Sequence, residues 1–343
     1  MHAARLKPWS PSEGRRHFSH HNRGGNMSIS FKRLLFAFVF ISVLFTLTTG
    51  VPAGQKIKIA SVAWTGVTIK SELAVSLLEA LGYEAENTVL SVPFVYSAMS
   101  TGGVDAFLGN WMPSMAGIAD KFFKDGTVIK YTENMTGAKY TLAVPSYCAE
   151  GGLKHFKDIV TFGDKLDWKI HGIEAGNDGN LIIRDMIEKD MFGLGKFDLV
   201  PSSEVAMLAE VQSRIKQNRC IVFLGWSPHS MNDRIDMTYL NGSTNETFGP
   251  DDGTATVWTN IRKGFAEEQP NVAKLLKNMT FPVANMNQIM TSLYEDKALT
   301  PRIAGLKWVK DNPETYTKWL EGVTTIDGKP AVPAFESYLK AQL

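Results

Sequence analysis

From Gly54 onward, short runs of β-branched and apolar residues alternate with stretches whose apolar positions recur every three or four residues. Residues 56–62, Lys-Ile-Lys-Ile-Ala-Ser-Val, predict a strand. Residues 69–81 place Leu73, Leu77, Leu78 and Leu81 on one face and predict an amphipathic helix ended by Gly82. The same reading predicts strands at 88–92, 106–108, 140–144, 169–173 and 220–224, and helices at 94–100, 179–189 and 204–216. Residues 272–343 are mainly helical in pattern, with Trp308 and Trp319 inside ordinary amphipathic stretches. Strand and helix in turn define an α/β class with helical crossovers.

The first 53 residues break this pattern. Lys32-Arg33 precede an apolar run at 34–45, and Val51-Pro52-Ala53 supplies small residues at the spacing of a cleavage site. That is the layout of a secretory signal peptide cut after Ala53. The run falls short of the roughly 20 apolar residues a membrane span requires, so a permanent anchor is the weaker reading. Residues 1–26 are polar and carry His17, His20 and His21; translation from Met27 leaves a signal of ordinary length.

Charge narrows the partners. The 36 Lys and Arg against 35 Asp and Glu leave a net charge of +1, so no basic field exists to attract nucleic acid. Cys148 and Cys220 sit in no metal-binding or CxxC spacing. They leave two states open, a disulfide closing a long loop in an oxidising compartment or two buried thiols. No HExxH, GxSxG, GxGxxG or Walker A pattern occurs, so neither a metal nor a cofactor is expected.

The candidate chemistry lies in the aromatic residues. Trp64, Trp111 and Trp226 each follow a predicted strand, at the sheet edge where open α/β folds bind ligands. Taken singly, each indole has the plainer role of packing a loop on the sheet; their shared placement points to a pocket. Trp64-Thr65-Gly66, Gly109-Asn110-Trp111-Met112-Pro113 and Gly225-Trp226-Ser227-Pro228 surround the rings with turn-forming residues. Gly176-Asn177-Asp178-Gly179-Asn180 joins a strand to a helix and reads as a capping and hydrogen-bonding loop.

From about Lys56 to Val323 the sequence resembles the choline- and glycine-betaine-type binding proteins of bacterial ABC importers, most closely the periplasmic choline-binding branch. The match is carried by Gly109-Asn110-Trp111-Met112-Pro113, Gly137-Ala138-Lys139-Tyr140-Thr141-Leu142, Gly176-Asn177-Asp178-Gly179-Asn180 and Phe223-Leu224-Gly225-Trp226. The resemblance implies a type II binding-protein fold, two hinged α/β lobes with the ligand in the cleft between them. After the leader and signal peptide (1–53), residues 54–133 and 237–343 are expected to form the first lobe and 134–236 the second. Candidate hinges lie at 131–137 and 237–242. Trp64 and Trp111 would come from the first lobe, Tyr140 and Trp226 from the second, with Asn177 at the ligand's polar end and Thr65 and Gly66 beside it. Where choline-binding relatives carry an Asp two residues after the first Trp, this chain has Gly66.

A trimethylammonium group is a cation without a hydrogen-bond donor, so aromatic faces suit it better than directional acceptors. Each desolvated face contributes on the order of 2 kcal/mol, and three or four approach the roughly 8 kcal/mol of micromolar binding. The expected ligand is therefore choline, glycine betaine or carnitine. Gly66 removes a charge that would repel a carboxylate, which suits a zwitterion received by Asn177 and nearby backbone N–H groups; on the equal alternative, another side chain or a water replaces the missing Asp and choline remains the ligand. The expected partners are a membrane permease and an ATPase, the expected state a monomer, the expected location the periplasm. Two other readings remain: a soluble sensor with the same site, and an enzyme drawing on His171, His229, Asp178, Asp233 or Asp236.

Overall fold

A computed structural model describes residues 56–343; the leader, the signal peptide and its cleavage site lie outside the described residues. Nine strands form one mixed sheet: β1 (Ile57–Ser61), β2 (Ala85–Val89), β3 (Ala106–Met112), β4 (Val128–Pro145), β5 (Lys169–His171), β6 (Asp198–Val200), β7 (Val222–Ser227), β8 (Met237–Tyr239) and β9 (Thr254–Arg262). Their order is β2-β1-β3-β9-β4-β7-β5-β6, with β8 paired to β4. Each end of the sheet is parallel, β2-β1-β3 at one and β7-β5-β6 at the other. The antiparallel strands β9 and β4 join the two.

Parallel strands need helical crossovers, and the helices supply them. Helix α1 (Thr65–Ala80) buries Leu73, Leu77 and Leu78, the face its spacing predicts. Against it packs the helix Pro301–Asp311, whose Gly305 admits Leu73 so closely that a Cβ there would stand 2.9 Å from Leu73 Cγ. Arg302 ties the pair from outside through Glu72 (2.9 Å) and Glu79 (2.8 Å). Under β3 and β9, Tyr96, Asn110 and Asn260 close a buried triangle of hydrogen bonds, with Tyr96 Oη donating to Asn110 Oδ1 at 2.9 Å. Buried polar side chains must pair, and this set fixes β3 just below Trp111.

Several predicted elements shift. Helix α1 begins at Thr65 rather than 69, because a carboxylate remote in sequence caps it: Thr65 N–H donates to Glu204 Oε2 at 3.2 Å. Strand β2 ends at Val89 rather than 92, since Ser91-Val92-Pro93 opens the helix Val92–Ser100. Strands β3 and β7 run further than expected, so Trp111 and Trp226 are the penultimate residues of strands instead of lying beyond them. Strand β4 spans 18 residues where only 140–144 were expected. Its partner β9 had no counterpart in the sequence reading. The candidate hinge at 131–137 falls within β4, where its register with β9 shifts, and the one at 237–242 coincides with β8 and the turn after it. Cys148 and Cys220 form a disulfide, which settles the alternative left open above.

Candidate functional site

Strands β1, β3, β5 and β7 all direct their carboxyl ends at one cavity, with about 550 Å³ of empty space including its solvent-open mouth. Trp64, Gly66, Trp111, Tyr140, Asn177 and Trp226 line it together. Thr65 does not: its hydroxyl and its N–H both turn to Glu204, which also lies 3.1 Å from His229 Nε2.

Tyr140 on β4 stands directly opposite Trp226 on β7 in the strand register, so the two rings share one face of the sheet. Their centroids are 6.3 Å apart at 78°, and Trp111 stands 6.0 Å from Tyr140 at 60°. Phe248 backs Tyr140 edge-on at 5.6 Å, and His229 backs Trp226 at 5.0 Å. Trp64, the residue before α1, donates its indole N–H to Glu174 Oε1 at 2.9 Å. Trp64, Tyr140 and Trp226 are thus each held by a neighbour outside the pocket wall, while Trp111 rests on Tyr140.

The loop after β5 supplies the polar wall. Asn177 caps the helix Asp178–Glu188: its Oδ1 accepts from Asn180 N–H (3.2 Å) and from the Tyr140 hydroxyl (3.0 Å), and its Nδ2 donates to Asp178 Oδ1 (3.0 Å). Gly179 makes this possible, because a Cβ there would overlap the Tyr140 hydroxyl. Burial, then the charges of Asp178 and Glu174, hold the Tyr140 phenol well above its ordinary range, so it stays a donor. Asp178 is 2% exposed, and among the described residues its Oδ2 has no hydrogen-bond partner. Burial pushes this carboxyl up to about 6. Burial likewise raises Glu174.

Helix α1 supplies the third wall with Gly66, Val67 and Lys70, positions that share a face at three- and four-residue spacing. Lys70 is buried, and its Nζ donates to Asn134 Oδ1 at 2.8 Å. Burial pushes it down to about 7. Met115, Met135 and Met286 add thioethers to the lining. Lys70, Glu174, Phe248 and these methionines escaped the sequence reading. A signal for Lys70 exists, a lysine beside Ile69 and one turn after Gly66, once α1 is known to begin at Thr65. Of the carboxylates and histidines raised as catalytic candidates, only Asp178 lines the cavity; Asp233 pairs with Thr291 and His171 lies in β5.

Two parallel half-sheets bridged by antiparallel strands, with one cavity at the strands' carboxyl ends, define a two-lobed α/β binding protein of the periplasmic type. Residues 55–311 match the family described as the substrate binding domain of ABC-type glycine betaine transport system, and the chain belongs to that family. A solved ABC-transporter choline binding protein in complex with choline is 45% identical, covers 83% of this chain and 98% of its own, and superposes with a TM-score of 0.80. Lactococcal OpuAC, closed on glycine betaine, is 25% identical over 77% of this chain and 98% of its own, with a TM-score of 0.69. Among curated relatives, uncharacterized protein ORF1 of Chromohalobacter salexigens is 43% identical over 149 residues, 43% of this chain and 96% of that one. The glycine betaine/carnitine transport binding protein GbuC of Listeria monocytogenes is 30% identical over 166 residues, 48% of this chain and about half (53%) of that protein.

Members of the family are substrate-binding proteins of ABC importers, not enzymes; they take small quaternary ammonium ligands and work with a permease and an ATPase. Several relatives are periplasmic. Among the described residues no helix is long and apolar enough to cross a membrane.

Proposed function

We propose that this chain binds a quaternary ammonium compound, choline, glycine betaine or carnitine, in a cage of Trp64, Trp111, Tyr140 and Trp226, and delivers it unchanged to the permease and ATPase of an importer. The observation that carries this reading is the convergence of these rings with the unpartnered Oδ2 of Asp178 on one cavity. A trimethylammonium group gains from aromatic faces through their quadrupoles and from a nearby carboxylate through its charge, while asking for no acceptor. The protein would work as a periplasmic monomer after signal-peptide cleavage. Its lobes, residues 54–133 with 237–343 and residues 134–236, would close on the ligand through flexing of the β4–β9 link.

Calorimetric titration of the mature chain with the three ligands tests this. Micromolar or tighter binding of at least one is expected, with mass spectrometry returning the ligand unaltered. If none of the three binds while ammonium or a primary amine does, the cage reading is wrong.

A further inference from the structure

Lys70 is the group in the cavity wall that a cation-binding site does not explain. It is 3% exposed, it lines the same cavity as the four rings, and its Nζ has a neutral amide oxygen as its hydrogen-bond partner. The ring of Phe281 lies 5.1 Å from Nζ. Among the described residues no carboxylate lies within ion-pair distance of it. An ammonium buried without a countercharge is costly, and its low proton affinity follows from that burial alone. Among the described residues the cavity thus holds two ionisable groups without an ion-pair partner, Asp178 and Lys70, and they form no ion pair with each other.

That pattern discriminates among ligands. A simple trimethylammonium alcohol would be attracted by Asp178 and repelled by Lys70, whereas a zwitterion satisfies both. Asn177 offers a carboxylate little, since its Oδ1 accepts from two donors and one of its two Nδ2 hydrogens goes to Asp178 Oδ1, leaving a single neutral N–H beside an acidic side chain. Gly66, one turn before Lys70 on α1, sets no side chain beside it. A Cβ there would meet only Met290, at 3.6 Å from Sδ, so the bare position leaves volume free instead of relieving a clash.

We propose that Lys70 is the anion-binding pole of the cavity and the residue that sets specificity: the ligand is a trimethylammonium carboxylate, its carboxylate received by Lys70 Nζ and its onium group by the rings beside Asp178. This rests on the quaternary-ammonium reading above and narrows it to zwitterions.

Calorimetry of wild type, Lys70→Met and Gly66→Asp against choline, glycine betaine, carnitine and the methyl ester of glycine betaine tests the assignment. Wild type binds a zwitterion more tightly than choline, and esterification of the carboxylate removes that advantage without any change to the protein. Lys70→Met lowers zwitterion affinity about 30-fold or more, the usual loss when one partner of a buried charge pair is removed, and leaves choline within about threefold. Gly66→Asp places a carboxylate at i,i+4 from Lys70 and reverses the preference toward choline by about tenfold. Equal losses for choline and zwitterions in Lys70→Met would overturn the proposal, as would a wild type that prefers choline or holds the ester as tightly as the acid. Choline binding without zwitterion binding refutes the role of Lys70 alone; failure of all four ligands on wild type refutes the quaternary-ammonium reading and this proposal with it.

Discussion

The indole N–H of Trp64 donates to Glu174 Oε1 at 2.9 Å, tying the residue that opens α1 to the loop after β5, 110 positions away in sequence. Because Trp64 has no other anchor for its polar edge among the described residues, this bond sets the angle at which its ring faces the cavity. Glu174→Gln keeps an acceptor and is expected to bind ligand nearly as wild type does. Glu174→Ala leaves the indole N–H without its partner at a cost of about 1–3 kcal/mol, read as a fall in affinity of roughly tenfold by calorimetry. Equal affinities for the two variants would deny Glu174 a positioning role.

Trp226 meets Tyr140 across β7 and β4, so its loss removes one aromatic face and unsettles another. Trp226→Ala is expected to weaken binding by on the order of 2 kcal/mol, about 30-fold, and to abolish most of the ligand-induced change in tryptophan fluorescence. An unaltered titration would sink the cage.

Acid should weaken binding through Asp178. Its carboxyl, raised to about 6 by burial, faces Tyr140, Tyr96 and Glu174, whose own carboxyl burial also raises. The anion that attracts the onium group exists above that value and is lost as pH falls through it. Affinity for choline therefore drops below about pH 6, by up to tenfold per unit, and rises modestly above about 7 as Lys70 loses the charge that repels it. For folding the sign is opposite: a raised carboxyl costs stability above its folded value, and that cost is relieved as pH falls from about 6 toward the ordinary carboxylate range near 4. Asp178→Asn is expected to remove both dependences. Lys70, lowered to about 7 by burial, adds a loss on the alkaline side for ligands that carry a carboxylate. A wild-type choline affinity that stays constant down to pH 5 would remove Asp178 from the site.

The Cys148–Cys220 disulfide closes a loop of 72 positions and lies outside the cavity wall. On the chain-entropy model such a loop is worth about 4 kcal/mol, so the double Ser variant is expected to melt roughly 10 °C lower. Ligand affinity at 25 °C should hardly change. A melting temperature that does not move would show that the bond constrains little in the unfolded chain.

Much of this was readable from residue order. Apolar periodicity located α1, the helix Asp178–Glu188 and the helix Glu204–Lys216 to within a few residues, since each buries a face that sequence spacing reveals. The three indoles were found because each stands at the carboxyl end of a predicted strand with glycine or proline beside it, whereas Tyr140 entered only through the family resemblance. What escaped is non-local. Helix α1 gains its first turn from Glu204, 139 positions away, and no local cap announces it. Strand β9 alternates Ala255, Val257 and Thr259 inward with only modest hydrophobicity, and its pairing with β4 is what makes it a strand. Lys70 counts as an exposed residue by composition, and only tertiary packing places it inside.

Three thioethers, Met115, Met135 and Met286, pave part of the cavity wall. Unbranched and polarizable, such side chains re-fit around ligand tails of different length where branched ones would clash. Their sulfurs can be oxidised only by an oxidant small enough to enter the cavity, since all three side chains are buried. A protein working in an oxidising compartment meets peroxide and hypochlorous acid, and conversion of a lining methionine to its sulfoxide would put a rigid, polar S=O where the wall must yield. Ligand affinity of the purified protein would then fall on treatment with peroxide and return when a sulfoxide reductase restores the sulfur.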